Sequence, residues 1–127
     1  KMKIEEIFQK KGENFFRNLE EKITLKSLES INNVISLGGG GFINEKIRKE
    51  VLNNNFSFWL NCDTQILLSR IKKSKKRPIA FNLSDSKLTE LILKRTKIYS
   101  KAQFKINCHR LTKIEITEKI LKVYEHY

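Results

Sequence analysis

The chain's hydrophobic patterning predicts an α/β fold, a three-layer α/β/α arrangement around a parallel sheet. Two observations carry that prediction. Short β-branched or aromatic apolar runs at 33–37 (NVISL), 56–60 (FSFWL) and 104–107 (FKIN) alternate with longer stretches of helical spacing. Strands that alternate with helices pair in parallel and bury both sheet faces under the helices. The first run also leads straight into Gly38-Gly39-Gly40-Gly41 and then a helix. The carboxyl ends of strands are where open α/β sheets bind ligands.

The elements are expected in this order. Residues 4–9 make a short helix with Ile4, Ile7 and Phe8 on one face, and Gly12 breaks it. Residues 13–30 make a longer amphipathic helix through Phe16, Leu19, Ile23 and Leu28. Residues 33–37 are apolar on both sides of the alternation, which predicts a buried parallel strand. Asn44 is placed to cap a helix over 45–53, with Ile47 and Val51 inward. A strand at 56–60 is followed by Asp63, which caps a helix over 64–73 with Ile66, Leu67 and Ile71 inward. The basic run Lys72-Lys73-Ser74-Lys75-Lys76-Arg77-Pro78 belongs to no regular element. A helix over 86–102, a strand at 104–107 and a helix over about 112–125 complete the chain. Three strands are few for a doubly wound sheet, which has about five or six. The chain also opens on Lys1 with Met2 behind it. Further strands are therefore expected before Lys1.

Composition narrows the function classes. The 127 residues suit one domain with one core, and 39% hydrophobic with 31% charged residues suits a soluble globular one. No apolar run approaches the roughly 20 residues of a membrane span, and no export signal is visible. Cys62 and Cys108 have no CxxC spacing, so neither a disulfide framework nor a zinc site is expected, and a reducing cytoplasm is the simplest location. The net charge of +12 raises nucleic-acid binding, but no zinc-finger, RNP-like or helix-turn-helix pattern accompanies it. A small phosphorylated anion fits the charge equally well. The 26 basic residues are 20 Lys and six Arg. Where Lys is the default cation, an Arg marks a place for a planar, bidentate fork. Arg48 and Arg70 are read as ordinary surface residues; Arg17, Arg77, Arg95 and Arg110 are the candidates.

Four features carry chemistry. The glycine run lets backbone approach an anion closely, or else serves only as a tight strand-to-helix turn. Arg17 and Glu20, three apart on a helix, share a face. The carboxylate can hold the guanidinium in one pose for a substrate carboxylate, or the two are a solvated pair. Lys76-Arg77-Pro78 is either a closing basic loop or a linker. Arg95, within Lys94-Arg95-Thr96-Lys97-Ile98-Tyr99, can point into the same pocket.

Taken together, these residues resemble the shikimate kinase family, small enzymes of the nucleoside-monophosphate-kinase-like P-loop group. The matching positions are Ile4-Glu5-Glu6-Ile7-Phe8, Gly12-Glu13, Phe16-Arg17 with Glu20, Leu37-Gly38-Gly39-Gly40, Arg77-Pro78, Arg95 with Tyr99, and Ile106-Asn107. The resemblance covers essentially the whole chain, as the C-terminal three-quarters of a single domain with a lid at about 72–84. It implies ATP-dependent phosphorylation of the shikimate 3-hydroxyl, with ATP and Mg²⁺, in aromatic amino acid and chorismate biosynthesis. Arg17 and Arg95 would bind the shikimate carboxylate, and Glu20 would orient Arg17. Phe8 and Phe16 would wall the pocket, and Gly38, Gly39 and Gly40 would contact shikimate through backbone. Arg77 would be the catalytic cation reaching the ATP phosphates, and Arg110 would contact adenine. A cytoplasmic monomer that binds no nucleic acid or membrane is expected.

The chain departs from the family pattern in one major respect. It contains no GxxGxGK[ST] phosphate loop, and the acidic residues that help place Mg²⁺ ahead of the first helix are absent, so no metal ligand is assigned. A strand, such a loop, a helix and an acidic pair are expected within roughly 50 residues before Lys1. The 127 residues alone are expected to show no kinase turnover. Another small-metabolite kinase, such as a gluconate kinase, and a non-catalytic remnant are the alternatives.

Overall fold

The computed structural model of the chain describes residues 1–74, Ala80 and 82–127. They form two compact units. The first is Lys1–Asn55 together with Ser74, Ala80 and Asn82; the second is Phe56–Lys73 with Leu83–Tyr127.

In the first unit, α1 (Ile4–Lys11) and α2 (Glu13–Leu28) pack against each other across Gly12. Gly12 has φ +84°, a left-handed value that favours glycine. Its N–H donates to the Phe8 carbonyl at 3.2 Å, closing α1, and its own carbonyl accepts from Phe16 N–H at 3.3 Å, opening α2. The third helix, α3 (Glu45–Asn54), starts at Asn44, whose Oδ1 accepts from Ile47 N–H at 3.0 Å. The expected cap is therefore in place. Ile47 and Val51 are buried, as the helical spacing predicts, and Phe42 joins them.

The strand expected at 33–37 is absent. Residues 33–38 carry no regular secondary structure, and Val34 is 99% exposed. The apolar alternation there is a sufficient pattern without a sufficient partner. A strand is held by hydrogen bonds to a neighbour, and this unit holds no other strand among the described residues.

The second unit contains β1 (Phe58–Asn61), α4 (Thr64–Lys73), α5 (Asp85–Tyr99), β2 (Phe104–Asn107) and α6 (Lys113–His126). β1 and β2 pair in parallel, from Phe58 opposite Phe104 to Asn61 opposite Asn107. α4 packs on α5, and α6 on β2. Each helix has its cap: Asp63 Oδ1 accepts from Gln65 N–H at 2.8 Å, Ser84 Oγ from Lys87 N–H at 3.3 Å, and Thr112 Oγ1 from Glu115 N–H at 3.2 Å. Within α4 the buried side chain is Leu68, flanked by half-buried Ile66, Leu67 and Ile71. Residues 100–102, expected as helix, instead close in tight turns onto Thr96, Ile98 and Tyr99. Phe56 and Phe58 each stack on Phe104, and Tyr124 of α6 and the C-terminal Tyr127 extend the cluster.

Ser57 sets the start of the ladder. It is buried, its carbonyl accepts from Phe104 N–H at 3.0 Å, and its Oγ accepts from Gln103 N–H at 2.9 Å. Ser57→Ala removes the second acceptor and is expected to cost about 1 kcal/mol, whereas Ser57→Thr, which keeps a hydroxyl, should recover most of it. Urea unfolding of the two variants checks this, and an Ala variant as stable as the parent would remove the role.

Candidate functional site

The candidate site is built in the first unit around the Arg17 guanidinium. Helical spacing brings Glu13, Phe16 and Glu20 to the same side of α2 as Arg17. Arg17 Nη1 donates to Glu20 Oε1 at 2.9 Å, and Arg17 Nε lies 3.6 Å from Glu13 Oε1. The guanidinium carbon sits 5.3 Å from the Phe16 ring centroid, and the Phe16 ring packs on Phe8 at 4.6 Å. The Glu20 side chain is 15% exposed and that of Arg17 27%, so the pair is partly shielded from solvent screening. Nη2 makes no hydrogen bond among the described residues. The guanidinium is thus gripped from one side and retains donors for a ligand.

The glycine run reaches the same group. Gly41 N–H donates to the Gly38 carbonyl at 2.9 Å, and Asn44 N–H to the Gly41 carbonyl at 3.2 Å, so two successive turns lead into α3. A Cβ on Gly40 would lie 2.6 Å from Arg17 Cζ and 2.8 Å from Nη2, and one on Gly38 would lie 3.5 Å from Glu20 Oε2. Gly40 is needed for this approach, and not for its backbone angles. The structure therefore gathers Phe8, Phe16, Arg17, Glu20, Gly38 and Gly40 into one cluster, with Gly39 in the same turn.

Arg95 and Arg110 stand on the second unit. Arg95 is half-buried on the α5 face that also carries Leu88 and Ile92, and it has no hydrogen-bond or ion-pair partner among the described residues. Arg110 is exposed with φ +57° in the turn that follows β2. Arg77, Pro78 and the rest of 75–79, with residue 81, within the segment expected as a lid, lie outside the described residues. Lys72, at the end of α4, pairs with Asp85 at 2.6 Å.

Two supports of the site lie beyond what the sequence reading reaches. Arg48, read from sequence as a surface residue, donates through Nη1 to the carbonyls of Phe42 at 3.2 Å and Ile43 at 3.0 Å, tying the segment after the glycines to α3. The scarcity of Arg is the available signal for it. Asn44 also donates through Nδ2 to Glu21 Oε2 at 2.6 Å, joining the α3 cap to α2, with Lys46 Nζ 3.5 Å from the same carboxylate. The Asn44 hydrogen bond, helped by Lys46 against some desolvation, holds the Glu21 carboxyl below its ordinary range. A depressed carboxyl stabilises the fold above its unfolded pKa, and that contribution disappears as pH falls through the folded value. Glu21→Gln should accordingly lose stability at pH 7 and flatten the stability profile below about pH 4.5. Urea midpoints at pH 7 and pH 3 test this; an unaltered slope would show that Glu21 is not linked to folding.

The family model described as shikimate kinase matches residues 1–125. The chain belongs to the shikimate kinase family. Shikimate kinase of Bartonella henselae is 34% identical over 127 residues, covering 99% of this chain and 60% of that protein. The one from Thermodesulfovibrio yellowstonii is 34% identical over 125 residues, covering 98% and 72%. The crystal structure of shikimate kinase from Aquifex aeolicus superposes with a TM-score of 0.78 at 32% identity, covering 94% of this chain and 71% of that one. The chain thus spans about three fifths of the first of these relatives. Its strand–helix alternation and parallel pair are those of the family's α/β P-loop kinase fold. Among the described residues, no group of three or more His, Cys, Asp or Glu is arranged to hold a metal ion.

Proposed function

We propose that this chain binds shikimate and serves its ATP-dependent phosphorylation to shikimate 3-phosphate and ADP, a step of chorismate and aromatic amino acid biosynthesis. The observation that carries the reading is the Arg17 guanidinium, held by Glu20 and met by the bare backbone of Gly40. A planar fork with free donors suits a carboxylate, and the missing side chain at Gly40 lets the backbone lie directly against that fork. Gly38 and Gly39 continue that wall, and Phe8 and Phe16 close it. Arg95 is the second carboxylate ligand in this reading.

In the reaction, the 3-hydroxyl oxygen forms a bond to the γ-phosphorus, the bond from that phosphorus to the β–γ bridging oxygen breaks, and the hydroxyl proton is lost. Catalysis of this kind is mostly positioning and charge stabilisation. Arg77 is assigned to the transferring phosphate, and Arg110 to adenine. ATP enters with Mg²⁺, as kinase chemistry generally requires, but no residue here is assigned to the ion. A cytoplasmic, monomeric protein that binds neither nucleic acid nor membrane completes the proposal. Among the described residues, no helix is long and apolar enough to cross a membrane.

The test is calorimetric titration of the 127-residue chain with shikimate, shikimate methyl ester and D-gluconate. Saturable binding of shikimate and its loss in the ester support the reading. Binding of gluconate alone favours a different metabolite kinase, and no saturable heat from any of them overturns the site.

A further inference from the structure

We propose that Cys62 and Cys108 form a redox modification site, a cross-strand dithiol that low-molecular-weight disulfides convert to an intramolecular disulfide. The two cysteines lie one residue beyond the ends of β1 and β2, where Asn61 stands opposite Asn107. Cys108 N–H donates to the Asn61 carbonyl at 2.8 Å. The same bond from Phe104 N–H to the Ser57 carbonyl accompanies the Phe58–Phe104 pair. The ladder therefore continues in register and sets Cys62 directly opposite Cys108. In-register neighbours on adjacent strands stand about 4.8 Å apart and point to the same face. A disulfide needs a Cα separation of about 4.4–6.8 Å. The chain holds both thiols reduced and unbridged. This site is independent of shikimate binding and stands whether or not the chain serves a kinase.

The surroundings divide the roles. Cys62 is half-buried, so a small disulfide can reach it, and Arg70 Nη1 donates to its Sγ at 4.0 Å. Cys108 is buried, and its thiol donates to the Ile106 carbonyl at 3.4 Å. Burial, reinforced by the neighbouring Cys62, pushes the Cys108 thiol up and keeps it protonated. Cys62 is thus the attacking sulfur and Cys108 the resolving one. The Cys62 thiolate attacks one sulfur of glutathione disulfide, whose S–S bond breaks and releases one glutathione. Cys108 then gives its proton to solvent and attacks the Cys62 sulfur, expelling the second glutathione. Two protein thiols are oxidised to one disulfide, and one glutathione disulfide is reduced to two thiols. The new bond would tie the ends of β1 and β2 just ahead of the turn that carries Arg110.

The experiment treats the protein with glutathione disulfide at pH 8 and follows it by mass spectrometry and by titration of free thiols after denaturation. The expected product has no free thiol and a mass lower by two hydrogens, gives a Cys62–Cys108 linked peptide, and reverts with dithiothreitol. No glutathione adduct should accumulate in the native protein, because the second step is intramolecular; in urea it should accumulate. Cys108→Ser should stop at an adduct on Cys62, and Cys62→Ser should stay unmodified over the same time. A persistent adduct on the native parent, two surviving thiols, or a product linked only between chains would each overturn the proposal. The first and last of these are read on the parent protein and do not depend on either variant folding.

Discussion

Arg17→Lys is expected to weaken shikimate binding by about 1–3 kcal/mol, a loss of roughly 5- to 150-fold in affinity, although the charge is unchanged. Arg17 divides its donors: Nε faces Glu13, one Nη1 bond goes to Glu20, and the rest of the fork is available. A lysine ammonium has three donors on one atom and cannot serve Glu20 and a carboxylate with parallel, in-plane bonds. It would also change the cation contact with the Phe16 ring, whose centroid lies 5.3 Å from the guanidinium carbon. Titration of parent and variant with shikimate gives the ratio directly, and thermal unfolding controls for the fold. Equal affinities would mean that Arg17 does not hold the carboxylate.

Gly40→Ala should be nearly as damaging to binding while leaving stability within about 1 kcal/mol of the parent. The new methyl would stand 2.6 Å from Arg17 Cζ and 2.8 Å from Nη2, far inside van der Waals contact. The atoms it meets are the free end of a long side chain, so Arg17 gives way and the backbone does not. The guanidinium would leave Glu20, and the pre-set pose would be lost. A double-mutant cycle makes the mechanism visible: on an Arg17→Ala background, Gly40→Ala should have little further effect on binding. Gly38→Ala is the matched comparison, because its methyl would meet Glu20 Oε2 at an ordinary 3.5 Å. Additive losses in the cycle would show that Gly40 acts independently of Arg17.

Features that depend on near neighbours are legible in the sequence. The caps at Asn44 and Asp63 are of this kind, because a cap is a side chain bonding its own next turn. The Arg17–Glu20 pair is legible for the same reason, being one helical step apart. The approach of Gly40 to Arg17, the grip of Arg48 on the Phe42 and Ile43 carbonyls, and the Asn44–Glu21 bond are not, since each depends on how a turn is laid against a helix. The strand expected at 33–37 fails because alternation reports what a segment could pair with and cannot supply the neighbour. The opposition of Cys62 and Cys108 comes from strand register, which no spacing rule contains.

The span of the ladder orders the folding of the second unit. Gln103 N–H reaches Ser57 Oγ, and Asn61 Nδ2 reaches Asn107 Oδ1, each across 46 positions. Closing a chain loop of that length costs about 3 kcal/mol in entropy before the first rung is made. α4 and α5 lie within the loop and depend on contacts much closer in sequence, so they can assemble first and shorten the gap. The parallel pair is then the last event of folding and lies on the native side of the barrier. Ser57→Ala should on this account speed unfolding while scarcely slowing refolding, whereas Leu88→Ala, which opens the core beneath α5, should slow refolding. Stopped-flow chevrons of the two variants give the order of events; a slowed folding arm for Ser57→Ala would place the ladder in the nucleus instead.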